Sequence, residues 1–244
     1  MDRMIYVAMS GAKQVMEQQS NTAHNLANLG TTGFRAQLDS FRSVPIEGQG
    51  LPTRAFVLDA TTGSDHSQGV VQATGNPLDV AIKGMGWIGL QAEDGSEVYS
   101  RAGNLSVNDS GVLVGQGGLA VAGDGGPITL PPEGKPSIAP DGTISVMDAR
   151  GVSTAVGRIR LVNPPVTDLE RGDDGLFRMK SGDTPDADAM VRLAPGSLEG
   201  SNVNAVDAMV NLITLSRAFD LQMSLMKNAE SNEAKASQIL SMNP

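Results

Sequence analysis

Side chains able to do chemistry are few in this chain, and they are poorly spaced for it. There are two histidines, His24 and His66, and no cysteine. Without cysteine there is no disulfide, no thiolate metal ligand and no thiol nucleophile. Two imidazoles give a metal site or a general base little to work with. Ser64, Asp65 and His66 spell out a catalytic triad. Triad members come from separate parts of a fold, and consecutive residues do not reach that geometry. No Gly-x-Ser-x-Gly elbow accompanies them. Gly115-Gln116-Gly117-Gly118 lacks the Lys-Ser/Thr of a phosphate-binding loop and reads as a hairpin turn. Asp173-Asp174 is followed by Gly175, so it reads as a turn rather than a carboxylate pair. Asp183, Asp186 and Asp188 lack the glycine and terminal glutamate of a calcium loop. The chain is therefore read as a non-enzyme with no catalytic, cofactor or metal site.

Charge limits the partners. The net charge is −9. Residues 1–36 hold Arg3, Lys13 and Arg35 against Asp2 and Glu17, and residues 200–244 carry a net of −1. The excess acid therefore lies in the middle. An acidic body between near-neutral ends argues against a nucleic-acid partner. After Arg3 there is no unbroken apolar run with a small-residue cleavage site, so no signal peptide is expected. No window approaches a membrane-spanning length, and no direct membrane insertion is expected.

The elements that must position any function are legible from Gly and Pro. Ser201 to Asn243 contains neither. Leu212, Leu215, Phe219, Met226, Ala229, Ala236 and Leu240 recur at helical spacing, with Gln222 and Glu233 filling the gaps. Met209, Ile213 and Met223 widen the stripe. Asn204 is placed to cap the first turn, and Asp207 suits its positive end. From Asn204 to Leu240 such a helix spans roughly 55 Å, a length that points to a coiled-coil seam.

Residues 2–29 repeat the same period through Ile5, Ala8, Ala12, Val15, Gln19, Thr22, Leu26 and Leu29. The small residues Ala8, Ala12 and Ala23 allow close approach of a second helix. Gly30 is placed as the helix C-cap and Gly33 as the turn after it. The Asn, Thr and Gln between Gln18 and Thr32 suit either polar neighbours in an assembly or a solvated face.

Residues 35–72 are interrupted by Pro45, Gly48, Gly50 and Pro52, and only Ala55 to Leu58 reads as a short strand. From 73 to 197 apolar residues alternate in short runs, as at Leu78, Val80 and Ile82, or Leu119 and Val121. Turns such as Asp94-Gly95, Asp109-Ser110-Gly111, Asp141-Gly142 and Asp174-Gly175 separate them. That spacing predicts an all-β domain.

Three stretches carry a resemblance. His24-Asn25-Leu26-Ala27-Asn28-Leu29-Gly30-Thr31-Thr32-Gly33-Phe34-Arg35 is similar to the N-terminal signature of the bacterial flagellar rod and hook proteins, with His24 and Leu29 departing from it. Leu198-Glu199-Gly200-Ser201-Asn202-Val203, with Met209-Val210 and Arg217-Ala218-Phe219, resembles the C-terminal signature. Thr74-Gly75-Asn76-Pro77-Leu78-Asp79-Val80-Ala81-Ile82 and Tyr99-Ser100-Arg101-Ala102-Gly103-Asn104 match between them. The opening residues Met1 to Ala12 resemble the proximal-rod branch more than the distal-rod branch.

The expected fold class is α+β. N- and C-terminal long helices pack together as a coiled-coil-like base (1–34 and 200–244), with an extended connecting arm (35–72) and a central β-rich domain (73–199). Assembly contacts are expected at Ile5, Ala8, Ala12, Val15, Leu26, Met209, Leu212, Leu215, Phe219, Met226 and Leu240, from their spacing. The matched motifs add Asn25, Asn28, Gly33, Phe34, Asn202, Val203 and Arg217. The resemblance implies a structural rod subunit that polymerises through its ends and carries motor torque. It also implies an arm that touches neighbouring subunits. The implied partners are copies of itself, other proximal-rod subunits, the distal-rod protein and the flagellar type III export apparatus. The implied location is the periplasmic rod of the basal body, reached without signal cleavage. Two other readings stay open: a distal-rod protein of the same family, and a β-domain binding module on a helical oligomerisation stalk.

Overall fold

A computed structural model describes the backbone of residues 2–45 and 55–241, without the side chains of 2–4, 42–45, 55–62, 236–237 and 239–241. The expected breakers Gly48, Gly50 and Pro52, and the side chains of Ala236 and Leu240, lie outside the described residues. The chain is α+β: two long helices at its ends and short antiparallel strands between. It divides by contact into two units, one of residues 1–28, 36–65 and 203–244, the other of 29–35 and 66–202.

In the first unit, α1 (Asp2–Ala27) and α2 (Ala205–Ser241) pack against each other. The cap of α2 is the expected one, since Asn204 Oδ1 accepts from the amide of Val206 at 3.0 Å. The expected apolar stripes are shielded at most described positions, with Leu29, Met209 and Ile213 exposed. Ala8, Ala12 and Ala229 are buried, and Ile5, Val15, Leu212, Leu215, Phe219 and Met226 are half-buried. Close approach is visible at Gly11, where a Cβ would meet the Gln222 side chain at 3.2 Å. Residues 230–235 of α2 are exposed throughout.

The segment expected as an open arm contains a hairpin, β1 (Gln37–Pro45) against β2 (Ala55–Ser64), with a bulge between Ser40 and Phe41. It packs along α1. The polar run of α1 now has a specific use. Asn25 Nδ2 donates to the Gln37 carbonyl at 2.9 Å, and its Oδ1 accepts the Gln37 amide at 2.8 Å. One turn earlier, Asn21 donates to Asp39. Residues i and i+4 of a helix thus grip i and i+2 of a strand, which matches the two repeats. Asn25→Ala would orphan both backbone groups of Gln37. We expect it to cost about 1–3 kcal/mol and to expose the β1 amides to hydrogen exchange, read by mass spectrometry. Exchange unchanged from the parent would show that the hairpin needs no such clamp.

Gly30 is not the helix cap. The helix ends at Ala27, the Asn28 amide closes onto the His24 carbonyl, and Gly30 has no positive φ; the left-handed residue is Gly33, at φ 67°. The polar Asn28 supplies the stop, its Nδ2 also donating to the His24 carbonyl at 2.9 Å.

The second unit is antiparallel β. β3 (Val71–Ala73) pairs with residues 197–199, and β4 (Val80–Lys83) pairs with 192–195. β5 (Trp87–Gln91) and β6 (Glu97–Ser100) lie central in a nine-stranded sheet, and residues 135–158 form a three-stranded meander. The four expected Asp-led turns are present, each with its glycine at positive φ: Gly95, Gly111, Gly142 and Gly175. The core gathers inward residues of the expected alternation, Val80, Ile82, Val121, Ile144 and Leu193 among them, together with Ile88 and Leu90 of β5. Each contributes about 1.5–3 kcal/mol on burial. A second cluster holds Trp87, Tyr99 and Phe177.

Candidate functional site

The three motifs that carry the resemblance each contain a charged residue beside glycine or an apolar run. In the second unit those charges meet. Glu199, wholly buried, accepts Arg35 Nη2 at 2.6 Å on Oε1. Its Oε2 accepts Arg101 Nε at 2.9 Å and lies 2.8 Å from the charged Nη2. The Gly69 amide completes the carboxylate at 2.9 Å. The side chains of Arg35 and Arg101 are 1% and 4% exposed, so two guanidinium cations share one carboxylate away from water. Burial pulls the Arg101 pKa down, and the charge of Glu199 opposes it.

Arg101 also donates to the carbonyls of Gly86 at 3.0 Å and Gly84 at 2.8 Å, and it lies 5.9 Å from the Trp87 ring. It thereby fixes the turn between β4 and β5. Arg171 lies 4.6 Å over the Phe34 ring and donates to the Arg35 carbonyl at 2.8 Å. The backbone runs close here. Gly33 donates its amide to the Glu199 carbonyl at 2.8 Å, and Asn202 donates to the Phe34 carbonyl. A Cβ on Gly69 would stand 2.1 Å from the Gly200 carbonyl oxygen, and one on Gly103 would stand 1.7 Å from that of Val80. Gly33 and Gly103 of the motifs, and Gly69 beside them, are therefore positions where chains pass too closely for any side chain. This arrangement joins three distant stretches rigidly, with no open site at the charged atoms.

The expected assembly residues fall into three groups. Ile5, Ala8, Ala12, Val15, Leu26, Leu212, Leu215, Phe219 and Met226 lie on the shielded helix stripes. Asn25 and Asn28 hold the end of α1. Gly33, Phe34, Asn202 and Val203 lie where the chain leaves α1 and enters α2, with Asn202 Nδ2 donating to the Ser67 carbonyl at 3.2 Å. Met209 and Arg217 alone are exposed among the expected residues whose side chains are described, Leu240 lying outside them. Periodicity missed a further set. Val206, Val210, Leu221 and Leu225 on α2 are exposed, as are Tyr6, Met9 and Met16 on α1, and so is Ile213, which was expected to widen the shielded stripe. Positions 206, 210, 213, 221 and 225 form a second helical stripe, with Arg217 inside it. The signal was present in the all-round apolar character of α2, which one internal partner does not use up.

Other polar candidates have structural neighbours. His66 packs against the rings of Trp87 and Phe177, at 5.9 and 5.8 Å. Asp174 Oδ1 accepts the Leu176 amide at 3.0 Å, and Arg178 grips the carboxylate, lowering its pKa. Gln116–Gly118 is a short turn in the hairpin joining 113–114 to 120–123. Trp87, Tyr99 and Phe177 are all buried, which leaves these three unavailable for stacking on a sugar.

Comparison with known proteins agrees with the motifs. Residues 194–239 match the model described as flagellar basal body rod FlgEFG protein C-terminal, and residues 81–146 match the flagellar hook protein FlgE/F/G D1 domain. The flagellar basal-body rod protein FlgF of Escherichia coli is 44% identical over 99% of this chain and 100% of its own length. That of Salmonella typhimurium is likewise 44% identical over the same shares, and that of Caulobacter vibrioides is 33% identical over 93% of the chain and 94% of its own. The flagellar basal-body rod protein FlgG of Bacillus subtilis is 30% identical over 93% of the chain and 95% of its own. The chain belongs to the flagellar basal-body rod proteins and is most like FlgF.

Proposed function

We propose that this chain is a segment of the basal-body rod that polymerises through the outer faces of its two terminal helices, and that its own α1–α2 pair forms a coiled-coil-like base within each subunit. The supporting observation is the second apolar stripe of α2. A helix face bearing Val206, Val210, Ile213, Leu221 and Leu225 in water is costly unless another subunit covers it. Met9, Met16 and Met209 add unbranched side chains that adapt to non-identical neighbours. This redistributes the expected contacts. The stripe through Ala8, Ala12, Leu212, Leu215 and Phe219 builds the subunit, and the stripe through Met209 and Ile213 joins subunits.

Helices packed side by side on both faces would transmit torque, because sliding one past another would break interdigitated rows. The neighbours are copies of this chain and other rod proteins, in the periplasm, reached through the type III export apparatus. The role is structural and involves no catalysis. The β1–β2 hairpin, which contains the segment expected to reach adjacent subunits, would brace them from the side.

Val210→Asp with Ile213→Asp tests the reading. Both positions are exposed, so the monomer should keep its circular dichroism and unfolding midpoint. Each buried unpaired charge costs several kcal/mol, so the variant should fail to enter basal bodies and should not restore swimming to a strain lacking the parent. Normal swimming with the variant in the rod would overturn the proposal.

A further inference from the structure

Asp-Gly pairs stand at 94–95, 124–125, 141–142 and 174–175. Such a pair is chemically reactive. The glycine amide nitrogen can attack the carboxyl carbon of the aspartate side chain, and glycine has no Cβ to hinder the approach. How the side chain is held decides whether a given pair reacts. Three of the four are held alike, with the aspartate Oδ1 accepting the amide two residues on. Ser96 donates to Asp94 at 2.8 Å, Thr143 to Asp141 at 3.0 Å and Leu176 to Asp174 at 3.0 Å. Each carboxylate has a further donor. The Ser96 hydroxyl reaches Asp94 at 2.6 Å, the Thr143 hydroxyl reaches Asp141 at 2.9 Å, and Arg178 grips Asp174. The glycine of each pair lies at positive φ, between 79° and 86°. These bonds must be given up before the carboxyl carbon can turn onto the glycine nitrogen. They also hold all three carboxyls below their usual pKa, chiefly through the Ser96 hydroxyl, the Thr143 amide and Arg178. Such bonds favour the carboxylate anion, a poorer electrophile than the neutral acid.

The fourth pair is built differently. Ala120–Gly123 and Gly126–Pro127 form a tight hairpin, with Asp124 and Gly125 as its loop. Two-residue loops of this kind commonly place one or both central residues at positive φ, which matches the twist of the strands. Here neither Asp124 nor Gly125 does so, and the positive φ falls on Gly126, at 110°. Residues 124–127 are all exposed, and a Cβ on Gly125 or Gly126 would meet nothing within 4 Å. Among the described residues, no hydrogen bond or ion pair is recorded for the Asp124 side chain.

We propose that Asp124 is a site of spontaneous isoaspartate formation in the folded protein, and that the other three Asp-Gly pairs are protected by the bonds of their turns. The Gly125 nitrogen bonds to Cγ of Asp124 as the carboxyl C–OH bond breaks. The amide proton and the hydroxyl leave together as water, and a five-membered succinimide remains. Water then adds to the ring carbonyl that came from the main chain, and the C–N bond there breaks. The chain now runs through the former side chain, nothing has been oxidised or reduced, and the original mass is restored. The extra main-chain carbon falls at the tip of the hairpin. It displaces the pairing of Gly123 with Gly126, and the buried Ile128 lies two residues beyond. The inference concerns the β-rich unit alone and does not depend on the rod reading.

The full chain would be aged at neutral pH, then methylated with an isoaspartyl methyltransferase and a labelled methyl donor, and the label located by peptide mapping. Label should build up at Asp124 about tenfold faster than at Asp94, Asp141 or Asp174, the factor expected where a hydrogen bond to a charged group must first break. In denaturant the turns are gone, and the four sites should react at comparable rates. Gly125→Ala adds a Cβ in open space without a positive φ to strain it, so the hairpin should persist while labelling at Asp124 slows. Equal labelling of the four sites in the folded chain, or no label at Asp124, would overturn the proposal. So would the same preference for Asp124 in denaturant, which would trace the reactivity to neighbouring sequence instead of to the turns.

Discussion

Glu199→Gln is expected to lower the unfolding free energy of the β-rich unit by about 3–5 kcal/mol, the usual cost of removing one partner from a buried ion pair. The substitution keeps the shape and one acceptor oxygen. It takes away the only negative charge shared by Arg35 and Arg101, and it turns an acceptor into an amide facing donors. Neither guanidinium has an escape to water, since both side chains are almost fully buried. Chemical denaturation followed by tryptophan fluorescence reads the change directly, because Trp87 lies beside Arg101. The midpoint should move with the slope unchanged. A loss of less than about 1 kcal/mol would place the pair in the energy range of solvated surface bridges and would contradict the buried cluster.

The comparison with an apolar replacement is as informative. Buried ion triads are often replaced by packed hydrophobic residues at no loss. Here that rescue is expected to be incomplete. Exchanging Arg35, Arg101 and Glu199 together for Met, Met and Leu would remove the charge imbalance. It would still orphan the carbonyls of Gly84 and Gly86, which only Arg101 satisfies among the described residues. The residual deficit would separate the two roles of Arg101, as counter-ion and as clamp of the Met85 turn.

The sequence shows some of this well and some not at all. Helix α2, with its Asn204 cap, is legible because capping and periodicity are local, and the Asp-Gly turns are legible because positive φ selects glycine at single positions. The hairpin 37–64 is hidden. Its first strand draws stability from Asn21 and Asn25 on α1, a tertiary contact with no local propensity behind it. The ion cluster is hidden for a related reason. Arg35, Arg101 and Glu199 are separated by 66 or more positions, and nothing local distinguishes a buried arginine from a solvated one. What could have drawn attention was their company. Each stands next to residues with no use for charge: Phe34, Ala102 and Leu198.

Gly33→Ala is expected to be among the most damaging single-methyl changes in the chain's motifs. The added Cβ would stand 2.3 Å from the backbone nitrogen of Ala102 and from the carbonyl carbon of Arg101. Those are main-chain atoms of a tightly bonded segment, with no rotamer able to yield. The residue also sits at φ 67°, where alanine pays about 1 kcal/mol or more. Relief requires the strand leaving α1 to lift from residues 101–102. That motion would withdraw Arg35 from Glu199 and break the Gly33 amide bond to the Glu199 carbonyl. The total should therefore exceed the strain alone and reach about 3–5 kcal/mol, as other core disruptions do. Because the damage runs through the cluster, Gly33→Ala and Glu199→Gln should cost less together than the sum of their separate effects. Gly30→Ala is the matched control three residues away. It has nothing within 4 Å and no positive φ, so its effect should stay within about 0.5 kcal/mol. Equal tolerance at the two glycines, read from paired thermal and denaturant unfolding, would show that the exit of α1 is not pressed against Arg101. In that case the buried cluster would not be what holds the three motifs together.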